Sequence, residues 1–125
     1  MENGDIIKSK SNPFIYHYAV LYIDNGEKYL MHNSVEQSVI LQKWEQFFKA
    51  RELIYICKSN ISGIDSALLL EKFNKLKVKR FDLLFYNCEH FVSELTGTKL
   101  EYSQLGKFLV LLILPLVSLW CLIKK

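Results

Sequence analysis

Ile15-Tyr16-His17-Tyr18-Ala19-Val20-Leu21-Tyr22-Ile23-Asp24-Asn25-Gly26-Glu27 is the stretch that decides the fold. Ile15 to Ile23 is rich in aromatic and β-branched residues and carries no charge, Gly or Pro, which favours a buried strand. Asn25-Gly26 is the strongest short signal for a two-residue hairpin turn. Lys28 to Asn33 then reads as the returning strand. With Asn25-Gly26 as the turn, Asp24 faces Glu27, Leu21 faces Leu30 and Ala19 faces His32. Side chains alternate between faces, so His17, Ala19 and His32 share one. His17 and His32 then become diagonal neighbours, roughly 7–8 Å apart at Cα.

A second stretch, Tyr86-Asn87-Cys88-Glu89-His90-Phe91-Val92, puts a cysteine after a good capping residue. From Cys88, the apolar residues Phe91, Val92 and Leu95 fall at i+3, i+4 and i+7, one face of a helix. Gly97 supplies a stop. A first-turn cysteine meets the positive end of the helix dipole and unpaired N–H groups, so the expectation is a thiol biased towards thiolate. The bland alternative is a small core hydrophobe. A reference thiol with pKa near ~8.5 needs a base as well. His90 is excluded from that role: two residues along a helix is a rotation of roughly 200°. Its expected place is solvent or support. His17 and His32 are the remaining histidines. A thiol, an imidazole that moves a proton and a polar group that orients it make a nucleophilic site.

These residues carry a resemblance. Gly4-Asp5-Ile6-Ile7, His17-Tyr18-Ala19-Val20-Leu21-Tyr22, Met31-His32-Asn33 and Asn87-Cys88-Glu89-His90-Phe91-Val92 are similar to the strand and catalytic boxes of the lecithin:retinol acyltransferase-like proteins. That family is a circularly permuted branch of the NlpC/P60 papain-like fold. The resemblance implies an α+β fold, with an antiparallel sheet packed on the cysteine-bearing helix. It implies Cys88 as nucleophile, His17 as general base and later acid, and His32 as the group that orients or polarises His17. The implied reaction is acyl transfer from a glycerophospholipid through a thioester on Cys88, to water, an amine or an alcohol. The family often has Gly after its first histidine box, where this chain has Ile23, and its hairpin is slightly shorter between the histidines. Residues 35–62 match no part of it.

At 125 residues with a net charge of +3 the chain suits one catalytic domain, expected over 1–104. Lys72, Lys75, Lys77, Lys79 and Arg80 form the one basic cluster, expected to be a solvated helix end. No nucleic-acid motif is seen. The three cysteines, Cys57, Cys88 and Cys121, show no zinc or CxxC spacing, and no metal or cofactor is expected. An odd, sparse set suits a reducing compartment. The polar start, Met1 to Asn12, does not read as a signal peptide. Phe108 to Ile123 is 16 residues without a charge. With Leu105 and Gly106 and snorkelling lysines, the expectation is a C-terminal transmembrane helix over 105–125, although about 17 apolar residues is near the lower limit. Pro115 is tolerated better in a membrane helix than in a soluble one. This makes a tail anchor with the catalytic domain in the cytoplasm.

Between the two boxes, residues 36–50 are expected to be helical, with Ile40, Leu41, Trp44, Phe47 and Phe48 on one face. Leu53 to Cys57 reads as a buried strand. Asp65 caps a helix to about Leu76, with Leu68, Leu69 and Phe73 inward. Phe81 to Tyr86 reads as a short strand. The leading functional expectation is a membrane-anchored thiol acyltransferase or phospholipase A that binds phospholipid. The alternatives are a cysteine peptidase or amidase of the NlpC/P60 type, and a non-catalytic membrane adaptor on the same fold.

Overall fold

A computed structural model describes residues 1–82, 86–100 and 120. The elements are β1 (Ile6–Lys10), β2 (Tyr16–Asp24), β3 (Glu27–Ser34), β4 (Ser38–Lys43), α1 (Trp44–Phe47), β5 (Glu52–Cys57), α2 (Ser66–Leu76) and α3 (Cys88–Thr96). The strands form a five-stranded sheet in the order β4-β3-β2-β1-β5, with every neighbouring pair antiparallel. The class is α+β, and the sheet packs on the cysteine-bearing helix.

The hairpin forms as the Asn-Gly signal requires. Asn25 and Gly26 have φ of 50° and 81°, the left-handed pair of a type I′ turn. Asp24 pairs with Glu27 and Leu21 with Leu30. The alternation then sorts the sheet into two faces. Ile6, Tyr18, Val20, Tyr22 and Met31 pack under α2 and α3, against Leu69, Phe73, Phe91, Val92 and Leu95. Ile7, Ala19, Leu21 and Leu30 point the other way and are covered by Phe47 of α1.

Four expectations are corrected. Residues 36–50 are not one helix: Ser38–Lys43 is a strand and the helix is the four residues of α1. The spacing of Ile40, Leu41, Trp44 and Phe47 satisfies a 3.6 period, but the hairpin to β3 wins by pairing six positions, from Ser34↔Ser38 to Tyr29↔Lys43. Ser38 enters that strand at φ 59°, and Gln37 N donates to Ser34 Oγ across the turn. Second, β5 is an edge strand, not a buried one. Leu53, Ile54 and Tyr55 are exposed and Cys57 is half-buried.

Third, Leu68 faces out at 47% exposure while Leu69 and Phe73 turn inward, because the stripe that meets the sheet is narrower than the periodicity suggested. Asp65 does cap α2, accepting from Ala67 N and Leu68 N. Fourth, none of the named strands covers the described residues of the expected strand Phe81 to Tyr86. Asp82 and Tyr86 form an isolated antiparallel bridge and exchange both backbone hydrogen bonds, at 2.8 and 2.9 Å, and residues 83–85 lie outside the described residues. The basic cluster from Lys72 to Arg80 is exposed, as expected, and Lys79 pairs with Glu94 at 2.7 Å.

Asp5, fully buried ahead of β1, ties the start of the chain to the loop after β5. Its carboxylate accepts from Glu2 N, Lys58 Nζ and Ser62 Oγ. Burial works against its charge, but these partners outweigh it and hold its pKa below the usual value. The expected membrane segment, 105–125, lies outside the described residues apart from Trp120. Among the described residues no helix is long and apolar enough to cross a membrane.

Candidate active site

The site is built where two strands part. β2 and β3 pair from Asp24↔Glu27 as far as Val20↔Met31, one step short of the expected Ala19–His32 pairing. Beyond that point β2 stays with β1 down to Tyr16, and β3 stays with β4 out to Ser34. The hydrogen-bonding direction alternates along an antiparallel strand, so Tyr18, like Val20, turns its backbone groups towards β3. With β3 gone, the Tyr18 N–H is released from the ladder, and it donates to the Cys88 sulfur.

The start of α3 is held at this opening. Asn33 is fully buried on β3, and its Nδ2 donates to Tyr86 O at 2.9 Å and to Asn87 O at 3.4 Å. Asn87 caps the helix, its Oδ1 accepting from Glu89 N and His90 N. His90 Nδ1 accepts from Asn87 N at 3.1 Å and completes a capping box. In the structure His90 makes this capping contact and is otherwise exposed. Gly97 at φ 69° ends the helix, as its sequence position suggested.

On the opposite face of the sheet, His17 and His32 meet. His17 Nε2 lies 2.9 Å from His32 Nδ1, and His32 Nε2 lies 2.9 Å from Gln42 Oε1. The Gln42 oxygen can only accept, so His32 carries its proton on Nε2. His32 Nδ1 is then an acceptor and His17 Nε2 the donor. This leaves His17 Nδ1 without a proton, which is what a general base needs. Phe47 packs against both rings, 5.8 Å from His17 and 5.0 Å from His32 between centroids.

Cys88, His17 and His32 all line one cleft of about 580 Å³, together with Asn87, Gln42, Arg51, Ile15, Val35 and Phe81 among others. The three expected site residues are therefore brought to one cavity. The cysteine reaches it from the helix-covered face and the histidines from the other.

The electrostatics correct one expectation. The Cys88 thiol is not held as a thiolate. Burial pushes it up to about 11. The Tyr18 N–H pulls against that, the Glu89 carboxylate adds to it, and the N–H groups of Glu89 and Cys88 pull it back in part. Burial likewise lowers His17 well below its usual value, with His32 and Arg51 adding to the effect. His32 is lowered to about 4 by burial, with Arg51 adding to the effect and its own hydrogen bond to Gln42 opposing it. The resting site at neutral pH is thus a thiol beside two neutral imidazoles. Desolvation outweighs the helix end here, and the depth of burial is not visible in the sequence.

Gln42, Arg51, Asn33 and Phe47 were not identified as site residues from the sequence. Gln42 and Phe47 were hidden by reading 36–50 as a helix. As a strand, β4 lies beside β3 with Gln42 opposite Leu30 and so on the histidine face, which is the signal that finds it. Among the described residues no group of three or more His, Cys, Asp or Glu side chains is placed to hold a metal ion. Compared with known protein families, with curated proteins and with solved structures, the chain finds no match in any of the three.

Proposed function

We propose that this chain is a thiol acyltransferase or phospholipase A that acts on the acyl esters of glycerophospholipids through a thioester on Cys88. The observation that carries the reading is the Gln42–His32–His17 chain of hydrogen bonds ending in a cleft shared with Cys88. The resemblance of the four sequence boxes to the lecithin:retinol acyltransferase-like family supports it, and with it a permuted NlpC/P60 arrangement of this α+β fold. The membrane-anchor reading of 105–125 belongs to the same proposal, with the catalytic domain in the cytoplasm.

The chemistry follows from the neutral resting pair. His17 Nδ1 takes the Sγ proton as the sulfur attacks the ester carbonyl, so charge develops only in the transition state. In this reading the N–H groups of Tyr18 and Cys88, which pull on the sulfur, receive the developing oxyanion, while the Glu89 N–H stays with its cap on Asn87. The ester C–O bond breaks, and the imidazolium returns its proton to the departing lysophospholipid oxygen. An acceptor bearing O–H or N–H then attacks the thioester. His17 takes the acceptor's proton and delivers it to the departing sulfur. His32, fixed by Gln42, keeps His17 in the tautomer that both steps require.

Incubation of the full chain with phosphatidylcholine vesicles tests this, followed by intact-mass measurement and by product analysis with and without an added amine. An acyl adduct confined to Cys88 is expected, and Cys88→Ala should lower turnover on the order of 10⁴-fold. Absence of the adduct, with Cys88→Ala releasing as much fatty acid as the native chain, overturns the reading.

A further inference from the structure

We propose that Arg51 is an anion subsite that takes the phosphodiester of the phospholipid whose ester Cys88 attacks. The proposal rests on the acyl-transfer reading for the identity of the ester, and on separate observations for the anion.

Arg51 lines the cleft that holds Cys88, His17 and His32. It follows α1, just before β5, and is half-buried. Its guanidinium carbon lies 4.5 Å from the centre of the Phe47 ring, and Nη1 donates to Phe47 O at 3.3 Å. Phe47 is fully buried and packs on both histidines, so the arginine is anchored to the same side chain that walls the catalytic pair. A guanidinium has five N–H donors in a planar fork, which suits two oxygens of a phosphate. One contact to Phe47 O leaves most of that fork for a ligand. No ion pair to Arg51 is formed among the described residues. Glu36 is the other charged residue of the cleft lining, and it is exposed to water.

The remaining lining selects the source of the phosphate. Ile15 and Val35 line the same cleft and are 39% and 77% exposed. Phe14, next to Ile15, is 84% exposed. An arginine on one part of the cleft and uncovered apolar side chains on another fit a molecule with an anionic head and hydrocarbon chains. A free phosphate ion would use only the first.

Two measurements on the full chain in nonionic detergent micelles test this. In the Cys88→Ala protein, titration with glycerophosphocholine should give saturable amide shifts around residues 47–51. In the Cys88→Ala/Arg51→Gln double variant, binding should weaken at least about tenfold, and Arg51→Lys should retain part of it. No saturable shift, or an equal shift without the arginine, overturns the subsite. Inorganic phosphate binding as tightly as glycerophosphocholine overturns the lipid assignment.

In the protein with Cys88 intact, Arg51→Gln should lower kcat/KM for phosphatidylcholine relative to an uncharged diacylglycerol by about tenfold. An unchanged ratio overturns the proposal, because a merely structural arginine would lower both rates alike. If the native chain acts on neither ester, the acyl-transfer reading fails, while the titration still decides the subsite.

Discussion

The two faces of the sheet are covered unequally. One lies under α2 and α3, where Leu69, Phe73, Phe91, Val92 and Leu95 interlock with Tyr18, Val20 and Met31. Among the described residues the other is covered by one short helix, whose only fully buried side chain is Phe47. The thick side carries Cys88 and the thin side carries the two histidines. A core that was equally deep on both faces would leave no room for a cleft beside His17. A core that was thin on both would not hold Cys88 against its own desolvation. The parting of β2 from β3 joins the two environments, since it lets a buried thiol, a half-buried His17 and a buried His32 line one cavity.

Truncating the covering aromatic on each face puts the largest strain on this comparison. Phe47→Ala and Phe91→Ala each remove a fully buried ring and should each cost about 3–5 kcal/mol in chemical denaturation. Milder replacements separate the faces. Phe47→Leu should lower kcat/KM about tenfold, because its ring sets both imidazole planes and carries Arg51. Phe91→Leu should leave kcat/KM within about twofold, since its ring meets Phe73 and the core. Equal kinetic losses for the two leucine variants would show that the faces are not functionally distinct.

Gln42→Leu sharpens the comparison within the thin face. It removes the acceptor for His32 Nε2–H and leaves that buried donor unpaired, at a cost of about 1–3 kcal/mol. It also releases the tautomer that keeps the His17 Nδ1 lone pair free. Loss of an orienting partner of this kind typically lowers activity about 10–100-fold. Gln42→Glu restores an acceptor and should recover most of the rate. If Gln42→Leu changes stability alone, the hydrogen-bonded chain is structural and His17 acts without it.

How far the sequence could be read follows the range of the forces involved. The β2–β3 hairpin and α3 were legible because their signals are local. Asn25-Gly26 dictates its own turn, and Asn87 caps the helix it precedes. The meeting of His17 and His32 needed only the register of that hairpin. β4 was misread because its conformation depends on a partner strand, and a helical spacing of aromatics was compatible with the same residues. The mistake hid Gln42 and Phe47 together. The Cys88 ionisation was misjudged for a related reason. The helix end is visible in sequence, but the depth at which the packed sheet buries it is not. The edge exposure of Leu53, Ile54 and Tyr55 likewise depends on β5 having a neighbouring strand on one side only among the described residues.

The smallest expected effect tests whether the thick face holds the cysteine by its cap or by its core. Asn87 satisfies two backbone donors at the start of α3, and its own N–H is taken by His90. Losing such a cap costs about 1 kcal/mol, since two backbone N–H groups lose their acceptor. Asn87→Ala should therefore lower stability by about that amount, and Asn87→Asp by less, because a carboxylate accepts the same bonds beside the helix dipole. The added charge has a second consequence. Placed next to Cys88, it disfavours the thiolate further, as Glu89 already does. Alkylation of Cys88 by iodoacetamide should then be slower in Asn87→Asp than in Asn87→Ala at the same pH, although the aspartate variant is the more stable of the two. The opposite order of reactivity would mean that capping, and not the charge placed beside it, governs the sulfur.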